Sequence, residues 1–172
     1  MKRLLTATVV AVAGATLVAP ALAQDPPKPN PFPGAKHQVF ISVDTVQNSR
    51  PKNPAVKPTI GCTQTNFFRR GQGVVFRVWG AETKTGEALT LENVRYLYVA
   101  IPGQPNLKLS FGAHGSGPPE TRPWFWTVNW DVPDTYPLGV VPFKVLVRMK
   151  DGRRTSFSQE GLAGTSRLTI TP

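Results

Sequence analysis

Few side chains in this chain of 172 residues could do chemistry on their own: one cysteine, two histidines and ten carboxylates. Acyl transfer by a Ser-His-acid set needs a nucleophile on a strained strand-to-helix elbow, and the sequence has no Gly-x-Ser-x-Gly. His114 is followed by Gly115-Ser116-Gly117, which reads as a flexible loop and not as an elbow. Glycoside hydrolysis needs two facing carboxylates. The acids here are scattered, and Asp131, Asp134 and Asp151 fall in turn sequences, where a short carboxylate caps backbone N–H groups. The expectation is a protein that is not an enzyme and uses no cofactor.

A metal centre is the sharper alternative. Cys62, His37, His114 and Met149 are the soft or imidazole donors, the set a copper site on a β-sandwich would draw on. Such a site gathers its Cys, His and Met on one loop, whereas here the nearest pair, His37 and Cys62, is 25 residues apart. The competing expectation is a buried thiol with two histidines on surface loops. A single cysteine also excludes an internal disulfide.

Binding chemistry has more to draw on. Trp124, Trp126 and Trp130 alternate along one stretch and would either stack on sugar rings or fill a core, since a tryptophan buries a large apolar area. Core is the reading favoured by that spacing. Twenty Lys and Arg against ten Asp and Glu give a net charge of +10, which suits an anionic partner such as an envelope protein or an acidic polysaccharide. Arg69-Arg70 and Arg153-Arg154 are the densest basic pairs. A basic surface that only maintains solubility would use the same residues.

The elements that must position these side chains begin with an address. Met1-Lys2-Arg3, an apolar run from Leu4 to about Val18 and the exit Ala21-Leu22-Ala23 have the three-part form of a secretory signal peptide, residues 1–23. The expected destination is the periplasm or the medium, which counts against nucleic acid as partner. Residues 24–35 follow as a tether, with five prolines between Gln24 and Gly34 that favour extended polyproline-like chain. Residues 36–172 are expected to form one domain, large enough to bury a core without disulfides.

Eighteen prolines and fifteen glycines leave little room for long helices. Period-two alternation marks strands at Lys36–Val46, Val74–Trp79, Leu107–Phe111, Trp124–Trp130 and Val140–Met149, with the last set placing Val141, Phe143, Val145, Val147 and Met149 on one side, while Val94–Ile101 is apolar on both sides and reads as a central strand. Phe67 to Gly71 reads equally as a strand end or one helical turn. Lys150-Asp151-Gly152-Arg153 predicts a tight hairpin with a primed turn. Pro142 cannot donate to a ladder and is expected at a bulge or an edge. Seven to nine short strands with no credible helix predict an all-β, antiparallel sandwich.

The stretch VPDTYPLGVVPFKVLVRMKDGRRTSF resembles the closing hairpin of bacterial immunoglobulin-like or fibronectin-III-like modules: a Pro-Asp-x-Tyr corner, a long alternating strand, an Asp-Gly turn and the returning strand. From about Arg69 to Thr171 the pattern is similar to small exported proteins of unassigned activity. The resemblance implies an immunoglobulin-like fold and transfers no site. The expected function is a non-enzymatic exported binding or accessory module for a protein or anionic glycan surface, reached through Arg69, Arg70, Arg153, Arg154, Trp124 and Trp126. The alternative is a small periplasmic metal or redox accessory protein using Cys62 with His114 or His37.

Overall fold

The computed structural model describes residues 39–115 and 117–172. The expected signal peptide, the proline-rich tether and His37 lie outside the described residues.

The described chain is all-β. In order, its strands are β1 (Val39–Gln47), β2 (Phe67–Arg69), β3 (Gly73–Glu82), β4 (Val94–Ala100), β5 (Leu107–Lys108), β6 (Ser110–Ala113), β7 (Trp124–Asp131), β8 (Gly139–Val140), β9 (Lys144–Met149), β10 (Arg154–Ser158) and β11 (Thr169–Thr171). Helical structure among the described residues is confined to three single turns of 3-10 helix, and no helix there is long and apolar enough to cross a membrane.

Two four-stranded sheets form the layers, ordered β1-β3-β7-β6 and β10-β9-β4-β5, with a small third sheet ordered β2-β11-β8. Eleven strands replace the expected seven to nine because two runs break where the chain changes sheets. Leu107–Phe111 divides at Leu109, which is buried and donates its N–H to Leu97 O at 2.9 Å. Val140–Met149 divides around exposed Pro142, which separates β8 from β9. The segment at Phe67 resolves as a strand, and its pairing with β11 is parallel, unlike the expected all-antiparallel arrangement.

Alternation supplies the core. Val74, Phe76 and Val78 from β3, Trp126 and Trp130 from β7, Leu97 and Val99 from β4, and Val145, Val147 and Met149 from β9 join one buried cluster. Each such side chain contributes roughly 1.5–3 kcal/mol by leaving water. Tyr136, from the Pro-Asp-x-Tyr corner, packs edge-on against Trp130 at 4.9 Å and donates its hydroxyl to Pro102 O at 3.3 Å.

The hairpin joining β9 to β10 differs from the expected primed turn. Of its central residues only Gly152 has positive φ, at +97°, while the Asp151 carboxylate accepts from Arg153 N–H at 3.0 Å. This is the longer hairpin type, a turn closed by one left-handed glycine. Gly80 is required for a different reason: a Cβ there would lie 2.3 Å from the carbonyl oxygen of Phe40 on β1.

Candidate functional site

Residues that do not face the core are free to build surfaces, and the outer face of β10-β9-β4-β5 is the most ordered of these. Since Val145, Val147 and Met149 point inward, Lys144, Leu146 and Arg148 point outward; Tyr96 and Tyr98 do the same on β4. Register then aligns them in rows. Arg154, Arg148 and Tyr96 form one row across three strands, and Ser156, Leu146, Tyr98 and Lys108 form the next across four. The tyrosine rings touch, 5.1 Å between centroids and tilted by 55°. Tyr96, Tyr98, Asn106, Leu146, Arg148, Arg154 and Ser156 line an open concavity of about 760 Å³.

The electrostatics of this face are one-sided. The ion pairs among the described residues are Arg77 with Asp44, and Arg153 with both Glu82 and Asp151. None involves Lys108, Lys144, Arg148 or Arg154. The two arginines of the expected hairpin pair therefore differ in role. Arg153 turns to Glu82 and to Asp151, at 2.6 Å from the latter, joining the hairpin to the end of β3. These carboxylate hydrogen bonds, Glu82 first, raise its pKa above the ordinary value. Arg154 lines the concavity. The other pair also divides: Arg70 donates its Nε to Tyr136 O at 2.7 Å, whereas Arg69 is exposed on β2.

The tryptophan row parts in the same manner. Trp126 is 3% exposed and Trp130 equally buried, but Trp124 is 57% exposed. The reason lies in the connection from β3 to β4. Gly86 at φ +75° turns the chain back so that Leu89 N–H donates to Gly80 O at 2.9 Å. Asn93 braces the turn through Ala88 O at 2.9 Å, and Trp126 Nε1 donates to Leu89 O at 2.7 Å. This loop covers Trp126 and leaves Trp124 beyond it. Trp79, Leu91, Phe111 and Trp124 then frame an apolar cleft of about 820 Å³, with Phe111 centred 5.4 Å from Trp124 and Glu92 at the rim.

A third hollow, about 260 Å³, brings Cys62 and His114 together, with Arg77 and Phe125 also lining it. Cys62 is exposed, which corrects the expectation of a buried thiol. It ends the turn from Ile60 and starts a stretch that runs back along the edge of β1, donating its N–H to Gln47 O at 2.9 Å with φ at +59°. That turn holds it at the rim and outside the core. His114 stacks on Phe125 at 5.6 Å, and its Nε2 is 3.3 Å from Thr127 Oγ1. Burial first, and the Arg77 charge second, lower its pKa below 6.5. Arg77 reaches Asp44 at 3.2 Å and lies 5.7 Å over the Phe125 ring. Met149 is a core residue. Among the described residues, no three His, Cys, Asp or Glu side chains come together in a group that could hold a metal.

Residue spacing had singled out the arginine pairs but not the Tyr96–Arg148–Arg154 row. The signal was present as the outward half of the alternation in β9; β4 reads as apolar on both sides, and the register between strands is not in the sequence pattern.

The arrangement defines an all-β, sandwich-like protein with one open basic face and one aromatic cleft. Comparison with known proteins finds no family model, curated protein or solved structure that matches this chain.

Proposed function

We propose that this chain is a non-enzymatic, exported immunoglobulin-like module that binds a protein or an anionic glycan surface. The observation that carries the reading is the strand order. With the short third sheet set aside, the remaining eight strands in chain order correspond to A, B, C, C′, D, E, F and G. The two sheets then read A-B-E-D and C′-C-F-G, the arrangement of immunoglobulin-type sandwiches. Folds of this kind serve as scaffolds on which binding surfaces are placed, and the unneutralised basic face is such a surface. Export is supported by the tripartite leader at residues 1–23.

The test is surface-captured full chain titrated against isolated envelope polysaccharide and envelope protein fractions at low and high salt. The expected result is saturable binding to one fraction that weakens as salt rises, because exposed charges are screened beyond roughly 8 Å at physiological ionic strength. Binding to neither fraction, or binding indifferent to salt, overturns the reading.

A second reading is favoured by one observation: Cys62 and His114 line the same hollow. A thiolate and a neutral imidazole are donors for a soft metal ion, and the lowered pKa of His114 favours the neutral ring. The Arg77 charge beside them opposes a cation, which leaves the binding module ahead. Elemental analysis of protein from its native source, compared with Cys62→Ser, supports the metal reading if stoichiometric copper, zinc or iron disappears in the variant.

A further inference from the structure

The register of the β9–β10 hairpin sets Arg154 directly opposite Arg148. Like charges facing across strands destabilise a sheet, and no carboxylate among the described residues pairs with either guanidinium. The arrangement works against the stability of the free protein, and such local conflicts mark functional sites. The one ligand chemistry that relieves it is an anion held between two planar donors, which arginine does better than any other side chain.

The surroundings narrow the class. Lys144 lies four residues from Arg148 on the same strand, about 13 Å away at the usual rise, so a third positive charge waits at a distance no single small anion spans. Between Lys144 and Arg148 the strand presents apolar Leu146, and beside these charges Asn106, Ser156 and the two tyrosines supply hydrogen-bonding groups. Tyrosine rings take the C–H face of a sugar, while amides and hydroxyls match its hydroxyl groups. Tilted 55° to each other, Tyr96 and Tyr98 do not offer the parallel shelves on which successive nucleobases stack.

We propose that the outer face of β10-β9-β4-β5 is a binding site for a linear acidic polysaccharide, with Arg148 and Arg154 clamping one anionic group and Tyr96 and Tyr98 packing on the adjoining sugar. This deepens the binding-module reading and rests on it. Charge complementarity selects the occupant: the face has four cationic side chains, Lys108, Lys144, Arg148 and Arg154, and an acidic chain repeats its charge along its length.

The experiment titrates the full chain with a polygalacturonate oligomer, a neutral dextran and a single-stranded oligonucleotide of matched charge. It compares the parent with Arg148→Ser/Arg154→Ser, Tyr96→Phe/Tyr98→Phe and Arg69→Ser, and thermal melts accompany each. The parent should bind the polygalacturonate and not the dextran. The double arginine variant should bind about tenfold or more weakly, having lost charge-assisted hydrogen bonds, while melting no lower than the parent because the cross-strand repulsion is gone. The double tyrosine variant, which keeps the rings, should weaken binding a few-fold, and Arg69→Ser should leave it unchanged. Unchanged binding in the double arginine variant removes the site from this face; if Arg69→Ser then loses binding, the module reading survives with its site on β2. Tighter binding of the oligonucleotide overturns the glycan assignment, and no binding to any probe overturns the inference. The envelope-fraction titration tests the module reading separately.

Discussion

The cleft beside Trp124 and the face around Arg148 enclose similar volumes, about 820 and 760 Å³, yet they are built in opposite ways. The face uses every second residue of regular strands. Its side chains have no part in the core, so each can be chosen for a ligand without disturbing Val147 or Leu97 behind it. The cleft uses an irregular loop whose position depends on Gly80, Asn93 and the Trp126 indole. Perturbing the face should therefore alter binding and spare stability, whereas perturbing the supports of the cleft should unfold the protein.

The largest effect expected from this contrast separates two neighbours on β7. Trp126→Ala removes a buried ring and the donor to Leu89 O, and should cost about 3–5 kcal/mol in urea unfolding. Trp124→Ala removes a mostly exposed ring and should cost less than about 1 kcal/mol. Equal losses would mean that the cleft rim is structural and that the contrast fails.

Next in size is the split between Arg153 and Arg154. Arg154→Ser should weaken binding to a polyuronate several-fold, and Arg153→Ser should leave it within about twofold, because Arg153 already faces Glu82 and Asp151. Titration at fixed ionic strength checks this. If both substitutions weaken binding alike, the hairpin tip acts as a unit and the site extends beyond the outer face of the sheet.

The two regions were unequally legible in the sequence. Alternation exposed the strands and both faces of β9, because the side-chain period of a strand is local information. It could not reveal that Arg154 sits opposite Arg148, since register between strands depends on the hairpin, and that hairpin is of a longer type than Asp-Gly suggested. The fate of Trp124 was equally hidden: its spacing matches that of Trp126 and Trp130, and only the loop turning back at Gly86 decides which ring is covered. Cys62 was misplaced for a related reason. A lone thiol in an apolar-rich chain is ordinarily buried, but its segment is a turn running onto the edge of β1, and nearby Ile60 is itself exposed.

That turn permits a third, smaller test away from both regions. A non-glycine residue in the left-handed region costs roughly 1–2 kcal/mol, and Cys62 sits there at φ +59°. Part of this is offset by the greater entropy glycine loses on folding. Cys62→Gly should accordingly raise stability by about 0.5–1 kcal/mol in urea unfolding, and the parent thiol should react fully with a maleimide in the folded state. A destabilised variant or a protected thiol would show that the side chain is held by contacts in the hollow beside His114.

The smallest effect concerns His114, whose pKa lies below 6.5 because burial and then the Arg77 charge disfavour the imidazolium. In the unfolded chain the same group titrates near its ordinary value of about 6.5. Between these two values the unfolded state binds more protons than the folded state, so stability must fall as pH drops through that window. The contribution is fully present above the unfolded pKa and levels off below the folded one. Asp151 cannot be mistaken for it: the Arg153 backbone N–H chiefly, and the Arg153 side chain, lower its carboxyl below 3.8, so its own loss of stability comes at more acid pH. Urea midpoints of the parent between pH 7.5 and pH 5 should decline gently, and His114→Gln should flatten that decline while leaving polyuronate binding at pH 7.5 unchanged. A parent curve that rises toward pH 5 would place an anionic group beside the imidazole and reverse the electrostatic picture of the hollow.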